Sequence, residues 1–258
     1  MQSIAMSLDD RHVAVASGDS VWLEGRMTAL AHAGRDLAIA GGRVWIARND
    51  EVESVALAGG EPEKLVLAPT AYALAGAGAA LAVWSTRGSW IVRGGAMYPL
   101  GPARLVRTIG ESRFLVAEGD TCSIIDAAGS GEPTRMRLGM SARVLDATCL
   151  LDRSTWLMLV ARGGDQELVV MRGNGGVLVR VRVGQVHRIA GAARKFVVAL
   201  ATGDGRVIAY DLRERRVVSA DRLAVTACEI AMRRDGDQVI GLAWHGKTSR
   251  LFEKQLVS

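Results

Sequence analysis

The chain has 258 residues, 49% hydrophobic but only 5% aromatic, with 30 glycines and 5 prolines. That composition excludes a disordered or collagen-like chain and requires a core of Val, Ala, Leu and Ile between tight glycine turns. The net charge of +5 is uneven: residues 1–80 carry 6 basic and 10 acidic side chains, and the rest of the chain is basic, with Arg far outnumbering Lys.

From the amino terminus, short runs rich in Val, Ile, Leu, Trp and Thr alternate with Gly, Asp and Asn, the pattern of strands and turns. The first runs are QSIAMSL, HVAVAS, the turn Gly18-Asp19-Ser20, VWLEG and MTALA. DLAIAGG, RVWIAR, the turn Asn49-Asp50, VESVALA and EKLVLA follow. Next come AYALAGA, ALAVWST, the turn Arg87-Gly88, SWIVR and AMYPL, then ARLVRTI, RFLVAE, Gly119-Asp120, TCSIIDA and PTRMRL. The run continues with ARVLDAT, STWLMLVA, Gly164-Asp165, ELVVMR and VLVRVRV, then VHRIAGA, KFVVALAT, Gly203-Asp204-Gly205, RVIAYDL and RVVSADRL. The last unit is TACEIAM, QVIGLAWH, Gly246-Lys247 and SRLFEKQ. No segment long enough for a helix keeps a 3.6-residue period without a glycine interruption.

The central turns fall at residues 19, 50, 88, 120, 165, 204 and 246. A period of about 40 residues with four strands per unit predicts an all-β propeller, one domain spanning residues 1–258. Seven four-stranded blades fit best, and the uneven spacing also admits six or eight. The last unit lacks a fourth strand, so QSIAMSL is expected to supply that missing edge and close the sheet.

The amino terminus MQSIAMSLDD lacks the basic and apolar regions of a signal peptide. The longest apolar run, Thr70 to Trp84, falls short of the roughly 20 residues of a membrane span. Three scattered cysteines, Cys122, Cys149 and Cys228, form no CxxC pair, which fits buried thiols in a reducing compartment. A cytoplasmic protein is expected.

Residues 203–216, GDGRVIAYDLRERR, resemble the end of a WD repeat. An Asp-Gly turn at Asp204 leads into a strand that ends in Tyr210 followed by Asp211, and His187 stands near the start of the same unit. Val186 replaces the Gly that usually precedes that His, and Leu200 stands where the hydrogen-bonding tetrad has Ser or Thr. The resemblance implies a WD-repeat-like propeller that binds protein partners, similar to bacterial subunits that accompany ATPases or effector proteins in larger assemblies.

Other motifs point to less. GLAWHGKT, Gly241 to Thr248, matches the phosphate-binding loop pattern, but its apolar middle continues a strand and no helix follows. His12, His32, His187 and His245 are single and have no metal-ligand spacing. Ser20, Ser89 and Ser130 lie in turns outside any G-x-S-x-G elbow. No catalytic residue, cofactor or metal is therefore expected. Arg104, Arg143 and Arg188 fall near the starts of three successive first strands, with His187 beside the last. They are the expected partner-binding residues, because guanidinium forks bind carboxylates bidentately. The expected function is a non-catalytic interaction scaffold. The alternatives are a propeller hydrolase or lyase with a site at the channel mouth, or a basic propeller that binds nucleic acid.

Overall fold

The structure is a computed structural model that describes residues 3–6, 12–17, 20–23, 26–29, 36–48, 51–65, 67, 72–110, 112–129, 132–150, 155–192, 194–223, 227–233, 236–245 and 248–256. Its regular elements are all strands. The first sheet is β1 (Ser3–Met6), β2 (Val13–Ser17), β3 (Ser20–Leu23) and β4 (Arg26–Ala29). The second is β5 (Asp36–Ala40), β6 (Arg43–Ala47), β7 (Val52–Ala56) and β8 (Glu63–Leu65). The third is β9 (Ala73–Ala77), β10 (Ala80–Ser85), β11 (Gly88–Arg93) and β12 (Ala96–Pro99). The fourth is β13 (Leu105–Gly110), β14 (Arg113–Glu118), β15 (Thr121–Asp126) and β16 (Thr134–Arg137). The fifth is β17 (Ala142–Leu150), β18 (Thr155–Arg162), β19 (Asp165–Arg172) and β20 (Val177–Val183). The sixth is β21 (Val186–Gly191), β22 (Val197–Thr202), β23 (Arg206–Asp211) and β24 (Arg216–Arg222). The seventh is β25 (Ala227–Met232), β26 (Gln238–His245) and β27 (Thr248–Gln255).

In every sheet the strand order follows the chain. Six sheets have four strands, a blade number the sequence admitted beside seven, and β25–β27 form a three-stranded sheet among the described residues. One expectation is corrected. Ser3–Met6 pairs with Val13–Ala16 as the first strand of its own sheet, so it is not an outer edge for the last one. The in-register pairing of β1 with β2, Ser3 opposite Ala16 and Met6 opposite Val13, makes it part of the first sheet.

The chain divides into two compact units, residues 1–116 with 125–132, and residues 117–124 with 133–258. In the first unit, alternate residues of β10 feed two different cores. Leu81 and Val83 join Ala38, Val52 and Leu74. Ala80, Ala82 and Trp84 join Ile91, Val106 and Phe114. In the second unit β23 does the same. Ile208 and Tyr210 pack against a cluster around Leu157, Leu168 and Leu200. Val207 and Ala209 belong to a cluster with Ile230, Met232 and Val239. These sheets are covered on both faces, which is why their middle strands read as unbroken apolar runs such as ALAVW and VVALA. Each fully buried Leu or Val contributes about 1.5–3 kcal/mol. With few aromatics to spread neighbouring sheets, small side chains set their spacing: Ala199, Ala201 and Ala209 are all fully buried.

First strands of neighbouring sheets approach closely where glycine permits it. A Cβ on Gly76 of β9 would lie 2.1 Å from the Ile39 carbonyl oxygen of β5. A Cβ on Gly191 of β21 would lie 2.1 Å from the Cys149 oxygen of β17.

Candidate partner-binding surface

The first strands are tied side by side by acids and hydroxyls. Asp36 of β5 accepts from its own neighbour Leu37 N (2.9 Å) and from Leu74 N of β9 (2.9 Å). Asp146 of β17 repeats this with Ala147 N (3.0 Å) and Ile189 N of β21 (3.0 Å). Thr108 of β13 donates to the Gly76 carbonyl (2.7 Å), and Gly191 N donates to Thr148 Oγ1 (3.1 Å). At the next step a side-chain pair takes over: Arg188 of β21 bridges to Glu229 of β25 through Nε (3.0 Å) and Nη2 (2.9 Å). Asp146, Arg188 and Glu229 each follow a register shift in their strand, at Val144/Asp146, Val186/Arg188 and Ala227/Glu229. A β-bulge at one level of three successive strands thus aims three charged side chains at their neighbours.

The expected partner-binding residues are distributed as follows. Arg104 is exposed, immediately before β13 in the first unit. Arg143, second residue of β17, is exposed, and neither it nor Arg104 pairs with an acid among the described residues. His187 and Arg188 are half-buried. The Asp146–Ile189 link sets Arg188 level with Asp146, so Arg143 stands three residues nearer the start of its strand, about 10 Å along it.

The Gly-Asp turns act as locks. Asp204 accepts from Thr202 Oγ1 (2.5 Å) and pairs with Arg206 (3.0 Å). Asp120 pairs with Arg137 of β16 (3.1 Å). The Thr202 hydroxyl holds the Asp204 carboxyl below its usual range, and the Arg137 hydrogen bond does the same for Asp120. Asp211, the Asp of the WD-like motif, accepts from Arg213 N (2.8 Å) and Glu214 N (2.9 Å) and so caps the turn into β24. Asp19 and Asp50 lie outside the described residues, as do His32, Ser130 and Lys247.

The phosphate-loop pattern falls on a hairpin. Gly241–His245 end β26 and Thr248 begins β27, so a strand follows in place of a helix. Ser89 is buried and donates to the Gly101 carbonyl, a structural duty. No group of three His, Cys, Asp or Glu side chains suited to a metal occurs among the described residues. Cys122 is fully buried beside Met158 (Sγ–Sδ 4.0 Å), and burial pushes its thiol up to about 11. The thiolate is therefore scarce at neutral pH, and an alkylating reagent is expected to reach Cys122 only after unfolding. Mass mapping of native and denatured samples checks this; rapid labelling of Cys122 in the native protein is the contrary result.

What sequence reasoning missed lies on the outermost strands. Six large hydrophobic side chains are exposed among the described residues, and five sit on fourth strands: Met97 and Tyr98 on β12, Val177 and Leu178 on β20, Val217 on β24. Arg93 stacks over the Tyr98 ring at 4.4 Å. Arginine accompanies the apolar groups in the second unit. Arg135 and Arg137 on β16, Arg180 and Arg182 on β20, and Arg216 and Arg222 on β24 are all exposed. Arg135, Arg182 and Arg222 hold no acid among the described residues, whereas Arg137, Arg180 and Arg216 pair with Asp120, Glu167 and Glu214. The sequence did carry a signal: VLVRVRV alternates Val with Arg and contains no acid.

No family model matches the chain, and no curated protein matches it. Solved structures do. The U3-55K structure aligns with a TM-score of 0.70 at 12% identity, covering 93% of this chain and 87% of that one. The crystal structure of the RRP9 WD40 repeats gives 0.70 at 12% identity, covering 93% and 86%. Kuenenia stuttgartiensis hydrazine synthase gives 0.71 at 12% identity, covering 99% and 96%. With its successive four-stranded meanders, the chain has the fold of a WD40-repeat-like β-propeller.

Proposed function

We propose that this chain is a non-catalytic, cytoplasmic scaffold that holds protein partners within a larger assembly. The carrying observation is the placement of exposed Met97, Tyr98, Val177, Leu178 and Val217 on outermost strands, while polar groups of the first strands are committed to holding neighbouring strands together. Apolar side chains left in water on strand edges gain free energy when a partner covers them. The WD-repeat-like fold supports this reading by analogy, and an ATPase or effector subunit is the partner class that the sequence resemblance suggests. Arg104 in the first unit, and Arg143, His187 and Arg188 in the second, are further proposed contact residues, each near the start of a first strand. Arg104 and Arg143 present guanidinium groups that hold no acid among the described residues, whereas Arg188 serves mainly to join β21 to β25.

The test is purification of the tagged chain from its native host with identification of co-purifying proteins. Stoichiometric partners are expected. They should be lost when Met97, Tyr98, Val177, Leu178 and Val217 are changed together to Asp, with the fold checked by circular dichroism. A chain that purifies alone, or partners that stay bound to the folded variant, would overturn the reading.

A further inference from the structure

Resting on the scaffold reading, we infer that the outer edge of β20 is a docking strand for an extended acidic segment of a protein partner. β20 is the last strand of its sheet, so one side of its backbone has no ladder partner among the described residues. Such an edge accepts an added strand unless something blunts it. Four other outer strands are short: β4, β12 and β16 have four residues and β8 has three, and β12 ends in Pro99; β27, last in the three-stranded sheet, has eight but carries Glu253. β20 has seven residues and contains neither proline nor acid, and its register shift at Leu178 leaves residues 179–183 in regular pairing with β19. β24 is equally long, but it carries Asp221, which pairs with Lys254 (2.9 Å).

The side chains of β20 specify what it would take. Val179, Val181 and Val183 face the core around Leu168 and Val170 and hold the strand in place. Arg180 and Arg182 alternate with them, share the other face and are exposed, whereas Leu178, also exposed, is bulged out of the ladder between Val179, opposite Val170, and Val177, opposite Met171. Glu167 already receives Arg180 (2.9 Å) and Arg162 (3.4 Å). Arg182, opposite Glu167 in register, holds no acid among the described residues. The edge is therefore net cationic along residues 179–183 and apolar at the bulge, where Val177 is 48% exposed and Leu178 38%. An added strand pairs along residues 179–183 with acids at alternate positions against Arg180 and Arg182, and its apolar end covers Val177 and Leu178 at the bulge. A nucleic-acid backbone fits less well: it has no apolar group for Val177 and Leu178, and β20 offers no aromatic ring for base stacking. Arginine placed only to prevent edge pairing would not be accompanied by an exposed Val-Leu pair.

The probe is a short fluorescent peptide of alternating Val and Glu, compared with a Val-Lys peptide and a single-stranded DNA oligonucleotide by anisotropy. The parent protein is expected to bind the Val-Glu peptide and to show slowed amide exchange across residues 177–183. The double variant Arg180→Glu, Arg182→Glu should lose about tenfold or more in affinity for it and gain affinity for the Val-Lys peptide. Arg180→Lys, Arg182→Lys should keep most of the binding, which separates charge from a folding defect. No binding of the Val-Glu peptide, or binding indifferent to charge reversal, would overturn the inference. DNA binding that the charge-reversed variant loses, without peptide binding, would also overturn it in favour of phosphate recognition. Native partners that survive charge reversal at β20 but are lost in the Asp-substituted apolar variant would sink the docking strand and leave the scaffold reading standing.

Discussion

Replacing Gly191 by alanine is expected to destabilise the protein by about 3 kcal/mol, the combined effect of overpacking and weakened hydrogen bonds. The new methyl carbon would sit 2.1 Å from the Cys149 oxygen, 2.9 Å from Leu150 Cδ2 and 3.1 Å from Thr148 Cγ2. Two of these neighbours are side-chain carbons and the nearest is backbone, so strand β21 itself must move away from β17. That movement stretches the Gly191 N to Thr148 Oγ1 bond (3.1 Å) and the Ile189 N to Asp146 Oδ2 bond (3.0 Å). Asp146 is only 3% exposed, so any donor it loses is not replaced by water at once. For a domain of this size, such a loss lowers Tm by roughly 6–12 °C. Gly76→Ala, with its Cβ 2.1 Å from the Ile39 oxygen, is expected to behave alike. Gly42→Ala is the control: it has the strain of a positive φ (71°) but nothing within 4 Å of the new carbon, and should cost less. Thermal melts of the three variants decide the matter. Equal Tm values for Gly191→Ala and the parent would show that the two strands are not held at the described distance.

Glu53→Ala is expected to cost about 3–5 kcal/mol, because it leaves a buried guanidinium without its main counter-charge. Arg48 is 6% exposed and Glu53 4%, and the two are directly hydrogen-bonded through Arg48 Nη2. Glu51 also reaches Arg48 Nη1 (3.2 Å) and is itself held by Lys64 Nζ (2.9 Å). It therefore softens the loss without abolishing it, since Arg48 Nε is already buried with no hydrogen-bond partner among the described residues. The desolvation of both ions is the term that decides the sign of a further experiment. Arg48→Met combined with Glu53→Leu removes both charges and fills the space with apolar atoms, so it should recover most of the loss. Urea melts of the single and double variants check this, and a double variant no more stable than Glu53→Ala would show that the pair stabilises the hairpin through its hydrogen bonds.

Both expectations concern local devices that no periodicity displays. Gly191 and Gly76 look, in sequence, like ordinary glycines inside apolar strands. Their requirement arises from a neighbouring strand more than 35 residues away along the chain. Glu53 reads as one acid among several after a turn, and only the fold buries it against Arg48.

What the sequence by itself determined is the architecture. Runs such as VVALA and ALAVW, with Asp-Gly and Gly-Asp turns between them, define the strands, and their spacing of about 40 residues defines four-stranded units stacked face to face. The WD-like segment around Asp204, Tyr210 and Asp211 pointed to the same fold, and there Asp204 and Asp211 do lock turns. Those signals are local, because hairpin pairing and two-sided burial are written within each unit. The outcome for single side chains was decided only by tertiary structure. Arg143 and Arg188 look alike in sequence, yet one is exposed and the other bridges to Glu229, because a β-bulge turns Arg188 toward the next strand. The place of the amino-terminal strand was decided likewise, by pairing with β2. Leu178, Arg180 and Arg182 became a candidate docking edge because β20 is both last in its sheet and long, properties that belong to the arrangement of strands and to no residue alone.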